Sequence, residues 1–143
     1  MKRLISSLSL LAIVLGGSAP AFAGNKVLID QYGSFNGVAA VQQGFDNFTR
    51  VYQQHNHNNA IIQQYGGNNT SVTGQNGKWN SSSSYQSGFG NINGTAQIGS
   101  HNSASTSQFG SNNAAGTIQV GYGNSAHTHQ AGTGNVSLVI QGN

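Results

Sequence analysis

Cysteine is absent from this chain of 143 residues, so neither a disulfide framework nor a thiolate metal site can be built. Proline occurs once, at Pro20. Charge is also scarce: Asp, Glu, Lys and Arg make up 5% of residues, against about 25% in an ordinary globular domain. The acids are Asp30 and Asp46, too few and too isolated to offer the paired carboxylates of glycoside hydrolysis. No acid is placed to orient a His beside a nucleophilic Ser, and the run Ser81-Ser82-Ser83-Ser84 reads as strand and turn surface. The Gly-rich segments lack the Lys and the following helix of a phosphate loop. His55 and His57, or His127 and His129, could each clip a transition metal as a pair, but no third ligand stands near either, so both read as solvated positions. No enzymatic activity, cofactor or metal site is expected. The formal charge of +3 includes Lys2 and Arg3; beyond them Lys26, Arg50 and Lys78 face two acids, and nucleic acid is not an expected partner.

The apolar residues are concentrated at the start. Met1–Arg3 form a short basic stretch, Leu4–Leu15 an apolar one, and Ala21-Phe22-Ala23 a small-x-small site, which reads as a secretory signal peptide over residues 1–23. About a dozen apolar residues fall short of the roughly 20 that span a bilayer, and no later run is apolar enough. The expected mature chain is 24–143, secreted and without a membrane span.

What the rest contains is a repeat of 11 residues. Gln recurs at Gln31, Gln42, Gln53, Gln64, Gln75, Gln86, Gln97, Gln108, Gln119, Gln130 and Gln141. Five residues after each of the first ten stands Asn: Asn36, Asn47, Asn58, Asn69, Asn80, Asn91, Asn102, Asn113, Asn124 and Asn135. Two residues after Gln stands Gly, at Gly33, Gly44, Gly66, Gly77, Gly88, Gly99, Gly110, Gly121 and Gly132, with His55 the exception. Chance in a Gln- and Asn-rich composition does not hold three registers in phase over ten units.

The Gly-x-x-Asn tetrads, such as Gly88-Phe89-Gly90-Asn91, combine residues that tolerate positive φ and bond their own backbone, so they are predicted turns. The roughly seven residues between them, as in Val136-Ser137-Leu138-Val139-Ile140-Gln141, are rich in β-branched types and are predicted strands. Reversal at each turn makes two units, 22 residues, one rung of a coil. The expected fold is all-β: a two-sheet β-solenoid with about eleven strands over 24–143.

Parity selects the interior, because side chains alternate along a strand. One face carries Asn, a small residue two later, a mostly β-branched residue four later, Gln and Gly. Every charge and every aromatic of the repeat falls on the other face or in a turn. The regular face is therefore the core, with Gln and Asn stacked on themselves from rung to rung so that their amides bond along the axis.

The unit Gln86-Ser87-Gly88-Phe89-Gly90-Asn91-Ile92-Asn93-Gly94-Thr95-Ala96-Gln97 resembles the curlin repeat, and the likeness covers nearly all of 24–143. It departs from family subunits that alternate Ser and Asn five residues after Gln, since all ten here are Asn. The resemblance implies an exported structural subunit of curli-type functional amyloid, polymerising with itself into extracellular fibres at the bacterial surface that serve adhesion and biofilm matrix. It further implies a nucleator or companion curlin subunit and an outer-membrane secretion channel as partners. The regular, uncharged last unit favours a major subunit over a nucleator. The alternative is a monomeric secreted solenoid that binds a repetitive surface such as polysaccharide or ice. Against it, Thr95, Thr106, Thr117 and Thr128 have inward parity, and a strand starting near Lys26 and a stop two residues after Gln141 leave no room for caps.

Overall fold

The computed structural model describes residues 10–16 and 24–143. The basic start Met1–Arg3 and the small-x-small site Ala21-Phe22-Ala23 lie outside the described residues. The strands are β1 (Leu10–Gly16), β2 (Lys26–Tyr32), β3 (Gly37–Phe45), β4 (Phe48–Asn56), β5 (Asn59–Gly67), β6 (Thr70–Lys78), β7 (Ser81–Phe89), β8 (Ile92–Ser100), β9 (Ser103–Ser111), β10 (Ala114–Tyr122), β11 (Ser125–Thr133) and β12 (Val136–Gly142). Even-numbered strands form one sheet, β12-β10-β8-β6-β4-β2, and odd-numbered strands the other, β1-β3-β5-β7-β9-β11. From β2 onward each strand pairs in parallel with the strand two later, each residue beside the one 22 further on. The protein is thus a two-sheet parallel β-solenoid of about five turns with 22 residues per rung. No helix among the described residues is long and apolar enough to cross a membrane.

The strands β3 to β11 are nine residues long rather than seven, because the turn Gly and the residue after it continue the parallel ladder. Direction reverses over the two residues that follow, such as Asp46-Asn47. Two left-handed residues make each corner. One is the Gly two after Gln, for example Gly88 at φ 129°; His55, which replaces Gly there, keeps φ at 76°. The other immediately precedes Asn and is left-handed even where it is Phe35, Trp79 or His101. The unfavourable αL backbone of a bulky residue, of order 1 kcal/mol each, is accepted because the rungs above and below hold the same corner.

A second reason for Gly is spatial. A Cβ on Gly44, Gly66, Gly77, Gly88 or Gly99 would collide with the backbone carbonyl of the corresponding Gly one rung on. These glycines lie at the rim of the coil rather than in its interior.

The interior changes character along the axis. Val38, Val51, Ala60 and Ile62 form an apolar cluster in the first rungs, with Ile29 packed against it. Further on the same columns hold Thr73, Thr95 and Thr117, or Ser84, Thr106 and Thr128, whose buried hydroxyls make no hydrogen bond among the described residues. A third column places the amide of Asn93 in the same unpaired state. Amide ladders and backbone, rather than apolar volume, therefore carry the C-terminal half.

Candidate functional site

The Gln residues stand one above another in two columns. In the odd sheet Nε2 of Gln42 donates to Oε1 of Gln64 at 2.7 Å, and Gln64 to Gln86, Gln86 to Gln108 and Gln108 to Gln130 follow at 2.8–2.9 Å. In the even sheet Gln31, Gln53, Gln75, Gln97, Gln119 and Gln141 are joined in the same direction at 2.7–2.9 Å. The second Nε2 hydrogen crosses the coil to a backbone carbonyl of the other sheet, as from Gln64 to Phe48 O at 3.1 Å and from Gln53 to Gly37 O at 3.0 Å. Each inner Gln thus ties its rung both along the axis and between the sheets. Those from Gln53 to Gln119 in the two columns are fully buried, an environment in which one missing partner costs about 1–3 kcal/mol.

The Asn columns work at the corners. Oδ1 of Asn69 accepts from the backbone N–H of Asn91 and from its Nδ2, both at 3.1 Å. Nδ2 of Asn69 in turn donates to Gly88 O at 3.0 Å and to Tyr65 O at 3.1 Å. The rim glycines therefore serve as acceptors for the Asn ladder as well as allowing the turn. The columns hold every Asn expected from the repeat, and one more. Asn25 accepts from Asn47 N–H at 2.9 Å through Oδ1 and donates to Gly44 O at 3.0 Å. It lies 11 residues before Asn36, so the repeat could have revealed it, but no Gln precedes it in phase.

The outer faces carry the remaining side chains. Arg50 and Asp30 approach to 3.8 Å on the surface, too exposed to contribute much. At one corner rings stack along the axis: Phe35 on His57 at 4.9 Å, His57 on Trp79 at 4.0 Å, Trp79 on His101 at 6.3 Å and His101 on Tyr122 at 4.9 Å. Their faces are turned toward one another, which leaves edges to solvent. A second stripe, Tyr65, Tyr85, Phe109 and His129, runs over the odd sheet with centroids 5.2–5.6 Å apart. His57 and His129 are thus members of ring stacks, and no group of three or more metal-ligating side chains occurs among the described residues.

The two outer faces differ, which reading the 11-residue units in a single series conceals. On the even sheet Ile92, Ile98, Ile118, Val120, Leu138 and Ile140 are exposed together. Val72, Gly94, Gly116 and Leu138 follow one another in a column there, and the two glycines open a shallow furrow of about 340 Å³ bordered by Ala96 and Ile118. The facing columns of the odd sheet hold Ser83, Ser105 and His127, and Ser81, Ser103 and Ser125.

The coil is open at its ends. Nε2 of Gln130 and of Gln141 each donate to one carbonyl, Ala114 O and Ser125 O, and have no Gln acceptor beyond them among the described residues. Gln31 and Gln42 donate into the ladders without receiving a bond from a described residue. Compared with models of protein families, with characterised proteins and with solved structures, the chain matches none.

Proposed function

We propose that the chain is an exported structural subunit that polymerises with itself into curli-like extracellular amyloid fibres, acting in surface adhesion and biofilm matrix. The observation that carries this reading is the polarity of the ladders: free amide donors at Gln130 and Gln141, free amide acceptors at Gln31 and Gln42. Donor end and acceptor end are complementary, so copies of one chain extend the same ladder, and each addition recreates the end it used. A polymerising major subunit fits better than a nucleator, because the last unit repeats the pattern without a charge. A companion nucleating subunit and an outer-membrane channel are the partners this reading calls for, with no role for nucleic acid, metal or cofactor and no catalysis.

The test is direct. Purified 24–143 should pass from a soluble state to fibres with meridional diffraction at about 4.7–4.8 Å, the strand spacing along the axis. A protein that stays soluble and monomeric through prolonged incubation at high concentration overturns the proposal. In that case the alternative of a monomeric solenoid on a repetitive surface gains, although its Thr95, Thr106, Thr117 and Thr128 point inward and are buried.

A further inference from the structure

We infer that the outer edge of β3 is the docking site for β12 of a second copy, so that successive subunits of the fibre are related by a half-turn about its axis. The inference rests on the self-assembly proposed above and adds its geometry.

The first observation is what occupies that edge. β1 pairs with β3 in parallel, with Ile13, Val14, Leu15 and Gly16 beside Ala39, Ala40, Val41 and Gln42. Continuing the 11-residue phase from one copy to the next sets Leu138, Val139, Ile140 and Gln141 of β12 beside those same four residues. Ile-Val-Leu-Gly and Leu-Val-Ile-Gln are near-equivalent strand sequences. The leader strand thus stands in the place of a subunit's last strand, and cleavage of the leader would free the slot. The β3 edge is accordingly built to accept a parallel apolar strand.

The second observation is the parity of the coil. Without β1, the even sheet ends in β2 on one side and in β12 on the other, and the odd sheet is one strand shorter. Two copies stacked without rotation would join β12 to β2 in the even sheet and leave a strand's width vacant between β11 and β3 in the odd sheet. A half-turn removes the vacancy, since β2 of the added copy then continues the odd sheet on β11 while its β3 continues the even sheet on β12. Strand direction remains parallel in both.

The third observation is that every open ladder end then finds a partner. Gln130 meets Gln31 of the added copy and Gln141 meets Gln42, whereas the unrotated stack joins only Gln141 to Gln31. Oδ1 of Asn124 and Asn135 receive Asn25 and Asn36 in the pattern repeated throughout the coil. His129 comes beside Asp30, where the unrotated stack would set Ile140 against that carboxylate. Each subunit advances the fibre by five and a half rungs, about 26 Å, so the axial repeat is two subunits, about 53 Å.

The absence of cysteine permits a clean test. Leu28 and His127 are exposed on outer faces, far apart in one coil, but the half-turn brings them side by side across the subunit junction. Adjacent strands lie about 4.8 Å apart, within the Cα range of a disulfide. Fibres of the Leu28→Cys/His127→Cys variant should, after oxidation and complete denaturation, run as covalent multimers on a non-reducing gel. Fibres of Leu28→Cys/Leu138→Cys, the pair adjacent in an unrotated stack, should run as single chains. Crosslinking through 28/138, through both pairs or through neither in well-formed fibres overturns the half-turn while leaving self-assembly intact. Absence of fibres from the unsubstituted chain overturns self-assembly instead. If the first variant does not assemble, Lys26→Cys/Ser125→Cys probes the same junction. Electron microscopy of unsubstituted fibres then decides independently between an axial repeat of about 53 Å and one of about 26 Å.

Discussion

Gln64 and Gln63 are neighbours in one strand with opposite fates. Gln64 is fully buried and makes four side-chain hydrogen bonds, to Gln42, Thr49, Phe48 and Gln86. Gln63 faces outward and is half-buried. Replacing Gln64 by Ala strands the Gln42 and Gln86 amides and opens a cavity, so a loss of roughly 3 kcal/mol or more is expected. Gln63→Ala should stay within about 0.5 kcal/mol. Denaturant unfolding of the two variants side by side checks this, and equal losses would contradict the assignment of faces. Glycine offers a parallel contrast. Gly88 has φ 129° and its Cβ would strike the Gly110 carbonyl, so Gly88→Ala should lose about 2 kcal/mol or more. Gly94 has open space around its Cβ position and no left-handed φ, so Gly94→Ala should gain about 0.5 kcal/mol by restricting the unfolded chain. Thermal or denaturant midpoints of this pair separate backbone demand from mere small size.

At the scale of the strand, β2 to β12 share one backbone and differ in what guards them. The charged side chains of 24–143 are Lys26, Asp30, Asp46, Arg50 and Lys78, and none follows. Charges on or near an edge oppose premature pairing. A peptide of residues 119–143, carrying β12 and most of β10 and β11, should therefore form β-rich fibres and seed the full chain faster than a peptide of 24–53. Dye-fluorescence lag times for the two seeds provide the measurement, and faster seeding by the N-terminal peptide would rule out charge as the guard. The same strands also show why the core tolerates so little apolar volume. Ladder hydrogen bonds run through each rung at fixed spacing, so buried hydroxyls such as Thr117 occupy the coil without a partner of their own and the fold persists.

For the whole molecule, stability and function have one source. Parallel in-register stacking bonds each rung to the next, and the terminal rungs offer those same groups outward. The difference between the two outer faces matters at this scale too. With subunits alternating by a half-turn, the apolar patch around Ile118 and Leu138 would appear on the two sides of the fibre in alternation, with Ser and His surfaces between. In a fibre without rotation, all apolar patches would line one side and present a continuous greasy stripe for lateral bundling.

Much of this was legible in the residues themselves. Eleven-residue phase, two units per rung, and the inward placement of Gln64, Thr95 and Asn91 all follow from alternation along a strand, which is local and needs no knowledge of neighbours. Strand length was misjudged because Gly88 and Phe89, turn-formers by type, remain in the parallel ladder once a rung lies beside them. Asn25 escaped because its bonds run to Asn47 and Gly44, a full rung away. The gathering of Ile92, Ile118 and Leu138 on one face, the ring stack from Phe35 to Tyr122, and the lodging of Leu10–Gly16 on β3 were decided only by the tertiary structure. The physical reason is that facing is set by a period of two within a strand, while neighbourhood on the surface is set by which strands stack, here at 22 residues.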